Sequence, residues 1–287
     1  MMKQIIPITR LDDPGSLIPV RAVNSQSLVV RVQDLITESG VPNSLFYKIK
    51  SCGGIHACLN YVGVVILSSV MRDNLLEKID TTIYVDLIDG IKPDYYTTPD
   101  CSSYDLERAH SKKQISRSYE MTKQIIALCP DVIPIGQVKG ADEEQIKQHY
   151  QMLHTLGIKI FIFHTGDFFR NGSDEQIQKA KYYASLIKKK DNLLLLYGFG
   201  SQKRLEEFSF ADGYLTFNHY VTALNGMIFK GRKKYKYQGM HYTEAATRNL
   251  KQMHLNLIES KKQAKLFGGR KQWVVAAEPY QELIIQR

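Results

Sequence analysis

Short apolar runs alternate with longer amphipathic stretches over most of the chain, and this alternation predicts a parallel α/β fold. Ile160–Phe163 and Leu193–Tyr197 are apolar at consecutive positions, as is typical of strands buried on both faces. Asp142–Leu156 and Asp174–Lys188 instead place apolar residues three or four positions apart, as amphipathic helices do. Repeated strand–helix units favour a (β/α)8 TIM-type barrel, which we predict as a single domain over residues 1–287.

The same pattern of apolar and polar positions predicts the other strands and helices. The region before residue 45 contains four prolines and little periodicity, so we expect loops there apart from one short strand. Apolar runs bounded by turn residues predict further strands at Ser27–Val32, Ser44–Ile49, Tyr61–Ser69, Asp94–Thr98, Val132–Val138 and Gly213–Phe217. Helices are predicted at Leu106–Leu128, Gln202–Phe208 and Glu244–Phe267.

The composition is that of an ordinary globular protein, with 44% hydrophobic and 23% charged residues. No apolar run reaches the roughly 20 residues that a membrane-spanning helix needs, so no membrane association is expected. The N-terminus lacks a signal-peptide pattern, and the four cysteines form no C-x-x-C pair. These features predict reduced thiols and a cytoplasmic location.

Positive charge is concentrated near the C-terminal end. Residues 229–271 carry 12 basic against 2 acidic residues, whereas the rest of the chain is close to neutral. A basic segment of about residues 230–271 on a neutral body suggests an acidic partner, either nucleic acid or an acidic protein. A solvated helix face with a basic tail is the open alternative. The residues we predict to contact a partner or nucleic acid are interleaved with tyrosines and are Arg232, Lys233, Lys234 and Lys236.

Five short blocks, taken in their order and spacing, resemble the tRNA-guanine transglycosylases. Those proteins are zinc-containing (β/α)8 barrels that exchange guanine for a 7-deazaguanine base, and the resemblance spans roughly residues 51–265. On this resemblance the fold would be that family's barrel with the zinc subdomain lost. The blocks are Gly53-Gly54-Ile55-His56, Pro99-Asp100-Cys101, Gly136-Gln137-Val138-Lys139-Gly140, Tyr197-Gly198-Phe199-Gly200 and Leu224-Asn225-Gly226-Met227-Ile228-Phe229.

The resemblance implies a set of base-binding residues. Asp100 would face the two parallel donors of a deazaguanine edge, because a carboxylate offers two acceptor oxygens. Tyr197 would supply a stacking face, although core packing explains a tyrosine there nearly as well. Helix capping by Asp100 and a structural role for His164 are the corresponding alternatives. The complete predicted set is Asp100, Ser69, Lys139, His164, Thr165, Gly166, Tyr197 and Gly198.

The chain also departs from the family pattern at the positions that carry its chemistry. Leu215 stands where the family has its nucleophilic aspartate, and Ser69 stands where it has a second aspartate. No cysteine follows Cys129, so a zinc site like the family's cannot be assembled and no zinc or other cofactor is expected. Asp212 is nearby, but strand alternation is expected to turn it away from the face of Leu215. The resemblance with these departures implies a protein that binds a 7-deazaguanine-type base and is deficient in base exchange.

A degenerate transglycosylase-like protein accompanies a deazaguanine-making enzyme in some bacterial type IV CBASS anti-phage operons. There the modified molecule is the N-terminus of a nucleotidyltransferase immune sensor, a CD-NTase. The resemblance implies a similar role for this chain, with a modified protein as its partner. Two alternatives stay open: an active enzyme that inserts a 7-deazaguanine into DNA or tRNA, and a non-catalytic nucleic-acid-binding subunit. A homodimer is also possible.

Overall fold

In a computed structural model of the chain, residues 4–103, 107–171 and 173–267 are described. The strands in these ranges are β1 Gln4–Pro7, β2 Ser27–Arg31, β3 Val64–Ser68, β4 Tyr95–Thr97, β5 Ile133–Val138, β6 Ile160–His164, β7 Leu193–Tyr197, β8 Gly213–Thr216, β9 Met227–Lys230 and β10 Lys233–Lys236. The α-helices are α1 Leu17–Ala22, α2 Ser44–Ser51, α3 Ile55–Leu59, α4 Asp73–Leu76, α5 Thr81–Ile91, α6 Arg108–Leu128, α7 Glu143–Thr155, α8 Gly166–Asn171, α9 Asp174–Ile187, α10 Asn218–Leu224 and α11 Tyr242–Phe267.

Strands β1 to β8 form one parallel sheet in the order β1-β8-β7-β6-β5-β4-β3-β2. A parallel bridge between Ile8 and Val29 brings the end of β1 beside β2, and Thr9 N donates to Val29 O at 2.9 Å. The sheet is therefore a nearly closed barrel, and at least one helix lies between successive strands except between β7 and β8, where there is only a 3-10 turn. The prediction of a TIM-type α/β barrel is confirmed. Strands β9 and β10 form a separate antiparallel hairpin.

The barrel is filled by side chains rather than by solvent. Its interior is a cluster of buried apolar residues contributed by most of the strands: Ile6, Ile8, Val29, Ile66, Ile135, Ile162, Leu195, Tyr197 and Leu215. Two larger clusters lie between the sheet and the helices, one on each half of the barrel. Each fully buried aliphatic side chain contributes roughly 1.5–3 kcal/mol, so these three layers supply the main favourable term in folding.

Two local predictions near the N-terminus were wrong. Ser44–Ile49, predicted as a strand, lies in helix α2, because the Asn43 side chain accepts hydrogen bonds from the first N–H groups of the helix and caps it. Phe46 and Ile49, three positions apart, then share its buried face. The second miss is β1, which lies where only loops were expected. The sequence of β1 is too short to show a strand pattern, and the strand forms because Gln4–Pro7 pairs with β8.

The remaining predicted elements agree with the structure to within three residues at each end, with one further exception. The helix predicted at Gln202–Phe208 is only a 3-10 turn at Gln202–Arg204, followed by turns with bonds such as Glu207 N to Arg204 O. Position 106, at the start of a predicted helix, and positions 268–271 of the predicted basic segment lie outside the described residues. In the part of the chain that is described, no helix combines the length and apolarity needed to cross a bilayer.

Candidate ligand-binding site at the barrel mouth

The carboxyl ends of β2 to β8 meet at one end of the barrel, which we call the mouth. In TIM-type barrels this is the end where binding and catalytic side chains project. All eight predicted base-binding residues lie at or directly after the ends of β3, β4, β5, β6 and β7. The topology therefore gathers at one end of the barrel residues that are more than 100 positions apart in the sequence.

Ser69, Gln137, Asp100 and Lys139 form one connected network across β3, β4 and β5. Ser69 Oγ lies 2.8 Å from Thr97 Oγ1 and 3.3 Å from Gln137 Oε1. The amide of Gln137 donates in turn to Asp100 Oδ1, and Lys139 Nζ lies 3.1 Å from the same oxygen. Sequence reasoning did not single out Gln137, which is fully buried and joins the two predicted residues Ser69 and Asp100.

The Asp100 and Lys139 side chains form a largely buried ion pair, with 3% and 19% of their surfaces exposed. Burial disfavours the charged form of Lys139, but nearby groups, chiefly the Asp100 carboxylate, together outweigh that effect and raise the pKa of Lys139 above its ordinary value. Lys139 is therefore a cation at neutral pH. Its backbone is fixed as well, because His149 Nδ1 lies 3.1 Å from Lys139 N and from Lys139 O.

His164 and Tyr197 line the neighbouring part of the mouth, on β6 and β7. Their ring centroids are 5.6 Å apart with the planes inclined at 37°. Tyr197 is only 5% exposed and belongs to the barrel interior, and burial raises its pKa to about 12. His164 Nδ1 lies 3.5 Å from Asp167 Oδ2. Tyr197 thus packs as a core residue whose hydroxyl end is near the mouth, and its ring face is covered.

Thr165, Gly166 and Gly198 hold the ends of β6 and β7 close together. Thr165 Oγ1 donates to Tyr197 O at 3.0 Å, and Thr165 N donates to the same carbonyl oxygen. Gly198 has a φ of +73°, and a Cβ atom there would lie 3.1 Å from Gly166 Cα. Both the backbone conformation and the close approach require glycine at position 198. These three residues shape the mouth through the backbone.

A second ion pair at the mouth, Arg31 with Asp34, was not predicted. Arg31 is the last residue of β2, and its Nε atom lies 3.2 Å from Asp34 Oδ2. Asp34 Oδ2 also accepts from Leu11 N at 3.1 Å, and burial raises the pKa of Asp34. The guanidinium carbon of Arg31 is 5.9 Å from the ring centroid of Phe217. The sequence contains one indication of this ion pair, namely a charged residue near the end of a predicted buried strand.

A narrow cleft borders Ser69 and Asp100 on the side of α6, and Tyr84, Arg117 and Met121 also line it. The part of it that admits the centre of a water molecule is only about 20 Å³. That room suffices for one ordered water, whose requirement is roughly 10–15 Å³. A planar base would need the side chains of this cleft to move.

Leu215 and Asp212 lie in different parts of the barrel. Leu215 is fully buried among the apolar side chains of the interior. Asp212 precedes β8 at the opposite end from the mouth, where its Oδ2 accepts from Leu194 N at 2.7 Å and from Lys188 Nζ at 2.8 Å. Asp212 is therefore engaged with the chain itself and is remote from the mouth.

The four predicted partner-binding residues lie on the β9–β10 hairpin, which packs on α11. Lys233, Lys234 and Lys236 are exposed. Arg232 differs from them, because its Nη2 donates to Glu206 Oε1 at 2.7 Å and to Ser260 Oγ at 2.9 Å. The three lysines can meet a partner directly, whereas Arg232 anchors the turn of the hairpin.

Within the described ranges, no group of three or more histidine, cysteine, aspartate or glutamate residues is arranged to hold a metal ion. Comparison with known proteins adds no family assignment: neither a protein-family profile nor a curated protein sequence matches the chain. The class that the fold and the site define is therefore a TIM-type α/β barrel with a polar, ion-paired mouth.

Proposed function

We propose that the barrel mouth binds a 7-deazaguanine-type base and does not exchange it. One observation carries this assignment: a nearly buried carboxylate, Asp100, lies at the ends of the strands with hydrogen-bond donors around it, while the barrel beneath it contains leucine at position 215. The mouth thus contains a carboxylate and donors that can bind a polar ligand. The resemblance to the transglycosylases suggests that this ligand is a 7-deazaguanine-type base.

The donors and acceptors of the network fit the edge of a guanine-like base. Such an edge carries two N–H donors beside a carbonyl acceptor, and a carboxylate with adjacent cationic or amide donors complements that pattern. Asp100 would accept from the base, and Lys139 would donate to its carbonyl oxygen. Binding requires the base to replace the contact between Gln137 and Asp100, because that contact already occupies Asp100 Oδ1.

Deficient exchange follows from the chemistry of the interior. Covalent base exchange needs a nucleophile that holds the sugar carbon while one base leaves and another enters. Leucine has no nucleophilic atom, and Asp212 faces the other end of the barrel in contact with Lys188. In this proposal the base is recognised as a modification on a partner protein, such as the N-terminus of a CD-NTase immune sensor in anti-phage defence.

Calorimetric titration with 7-cyano-7-deazaguanine tests the binding step. Asp100→Asn keeps the shape of the side chain but places an amide donor against a donor of the base, so the affinity should fall by roughly tenfold to a few hundredfold. Asp212→Asn is the matched control, because it alters an aspartate–lysine pair at the other end of the barrel. Equal affinities of the parent and Asp100→Asn proteins would remove the mouth from consideration as the base site.

Exchange is tested separately by supplying labelled guanine together with tRNA or DNA. We expect no incorporation of label above a protein-free control. Incorporation that depends on a mouth residue would instead favour the base-exchange alternative. Comparing a partner protein that carries a deazaguanine with the unmodified partner then shows whether the base is read on a protein.

A further inference from the structure

The two outer edges of the β9–β10 hairpin differ in the hydrogen bonds that they make with the rest of the protein. On the β9 edge, Phe229 N donates to Asn249 Oδ1 at 2.7 Å, and Met227 O accepts from Asn249 Nδ2 at 3.1 Å. The Asn249 side chain on α11 thus satisfies the backbone as a neighbouring strand would. At the turn, Gly231 O accepts from Asn256 Nδ2 at 3.0 Å. The β9 edge is closed by helix α11.

The β10 edge is open. Lys233 is opposite Lys230 and Tyr235 is opposite Ile228, and Tyr237 N donates to Gly226 O at 3.1 Å. In a hairpin with a two-residue turn these alternate positions face the partner strand, so the N–H and C=O groups of the positions between them point outward. Those positions are 234 and 236. Among the described residues, no backbone hydrogen bond is made to these outward groups.

The side chains along β10 carry a specific charge pattern. Lys234 and Lys236 project from one face, and Tyr235, which is 44% exposed, projects from the other. Lys234 Nζ lies 5.7 Å from the Phe229 ring centroid, and desolvation of the ammonium lowers the pKa of this exposed residue. Lysines on an open edge deter pairing with another copy of the same strand, because like charges would then face each other. An acidic strand would reverse the sign of that interaction.

We propose that β10 accepts an extended acidic segment of a partner protein as a third strand of this sheet. The added strand would place acidic side chains at alternate positions facing Lys234 and Lys236, with an apolar residue between them over Tyr235. A nucleic acid could use the lysines but would leave the outward N–H and C=O groups of β10 without partners, so the edge favours a peptide. This inference does not rest on the ligand of the barrel mouth.

Fluorescence anisotropy with a labelled eight-residue peptide of alternating glutamate and valine tests this pairing. Lys234→Pro removes one outward N–H and no bond of the hairpin itself, since proline is tolerated on an edge strand when its nitrogen faces solvent. Lys234→Ala is the matched control, because it removes the same charge and keeps the N–H. We expect the dissociation constant to rise more than tenfold for Lys234→Pro and about threefold for Lys234→Ala.

A second arm leaves the protein unchanged and modifies the peptide. N-methylation of the alternate peptide nitrogens on its pairing edge should abolish binding, whereas methylation on the opposite edge should not. The double variant Lys234→Glu with Lys236→Glu should bind a lysine–valine peptide in place of the acidic one. Circular dichroism and the melting temperature establish that each variant is folded.

Four results would overturn the proposal that β10 accepts an added strand. Equal losses of peptide affinity for Lys234→Pro and Lys234→Ala would show that only the lysine charge contributes to binding. Unchanged affinity after N-methylation of the peptide would show that its backbone is not paired with β10. Tighter binding of an oligothymidylate of matched charge, insensitive to Lys234→Pro, would assign the hairpin to nucleic acid. The acidic peptide binding the Lys234→Pro and parent proteins equally would exclude the edge altogether.

Discussion

The two ends of the barrel each contain an aspartate paired with a lysine, and the two pairs differ in what surrounds them. At the mouth, Asp100 meets the side chains of Gln137 and Lys139 and the backbone N–H of Cys101, and it is 3% exposed. At the opposite end, Asp212 meets Lys188 and the backbone N–H of Leu194 and is 20% exposed. Each carboxylate accepts from one backbone N–H group, but Asp100 has a second side-chain partner, the Gln137 amide, which a ligand can replace.

Among the described residues, the barrel interior between the two ends is lined by apolar side chains, and a carboxylate placed there gives the largest expected effect. Leu215→Asp should lower the free energy of unfolding by about 4 kcal/mol or more, because it buries a carboxyl group among apolar side chains. Leu215→Met, which nearly conserves volume, should cost less than about 1.5 kcal/mol. Urea denaturation measures both. A small loss of unfolding free energy for Leu215→Asp would reveal a polar partner inside the barrel. The interior and the mouth would then differ less in their capacity to hold a carboxylate.

Acid should destabilise the protein through its buried histidines, one of which supports the mouth. Burial lowers the pKa of His149 to about 4 and that of His219 to about 3, from an ordinary value of 6.5. Because the folded state favours the neutral form, this stability is fully present above pH 6.5 and is lost as the pH falls toward the folded values. Each histidine should contribute a loss of roughly 2 kcal/mol between pH 7 and pH 5.

Denaturation curves at pH 7 and pH 5 measure this loss. His149→Gln, compared with His219→Gln, separates the two contributions. Since His149 contacts the backbone of Lys139, we expect His149→Gln to reduce ligand affinity at the mouth as well, and His219→Gln to leave it unchanged. A pH dependence that neither variant alters would mean that other groups govern acid sensitivity.

The coupling between the two members of each ion pair should differ between the ends. A double-mutant cycle of Asp100→Asn and Lys139→Met should give about 1–2 kcal/mol, and one of Asp212→Asn and Lys188→Met about 0.5–1 kcal/mol. The expected order follows from burial, since solvent screens the more exposed pair. The reverse order, measured by denaturation, would place the stronger pair away from the mouth.

The smallest effect concerns a single hydroxyl group. Tyr197→Phe should cost about 1 kcal/mol of stability, because it removes a largely buried hydroxyl group whose pKa is influenced by Ser68. Tyr214→Phe is the control on the outer face of the sheet, where the hydroxyl donates to Phe208 O at 2.9 Å. Thermal melts should show similar losses for both. Only Tyr197→Phe should alter ligand affinity, so equal affinities would restrict Tyr197 to core packing.

Much of the fold could be predicted because its signal is local. The runs at Ile160–Phe163 and Leu193–Tyr197 are apolar at successive positions, and the structure has strands there. The prediction of a strand at Ser44–Ile49 was wrong because the apolar pattern there is too short to distinguish a strand from a helix. The helix is favoured by its cap, in which the Asn43 side chain accepts hydrogen bonds from the first N–H groups. Strand β1 escaped prediction because its pairing with β8 joins residues more than 200 positions apart.

Of the mouth, the sequence determined which chemical groups are present. Leu215 offers no nucleophile and Asp100 offers a carboxylate, whatever surrounds them. Only the tertiary structure decided their partners: Gln137 contacts Asp100 from 37 positions away, and Asn249 closes the β9 edge from 20 positions away. The physical reason is that hydrophobic periodicity acts within a few residues, whereas ion pairs, buried networks and open strand edges depend on which distant segments the closed barrel brings together.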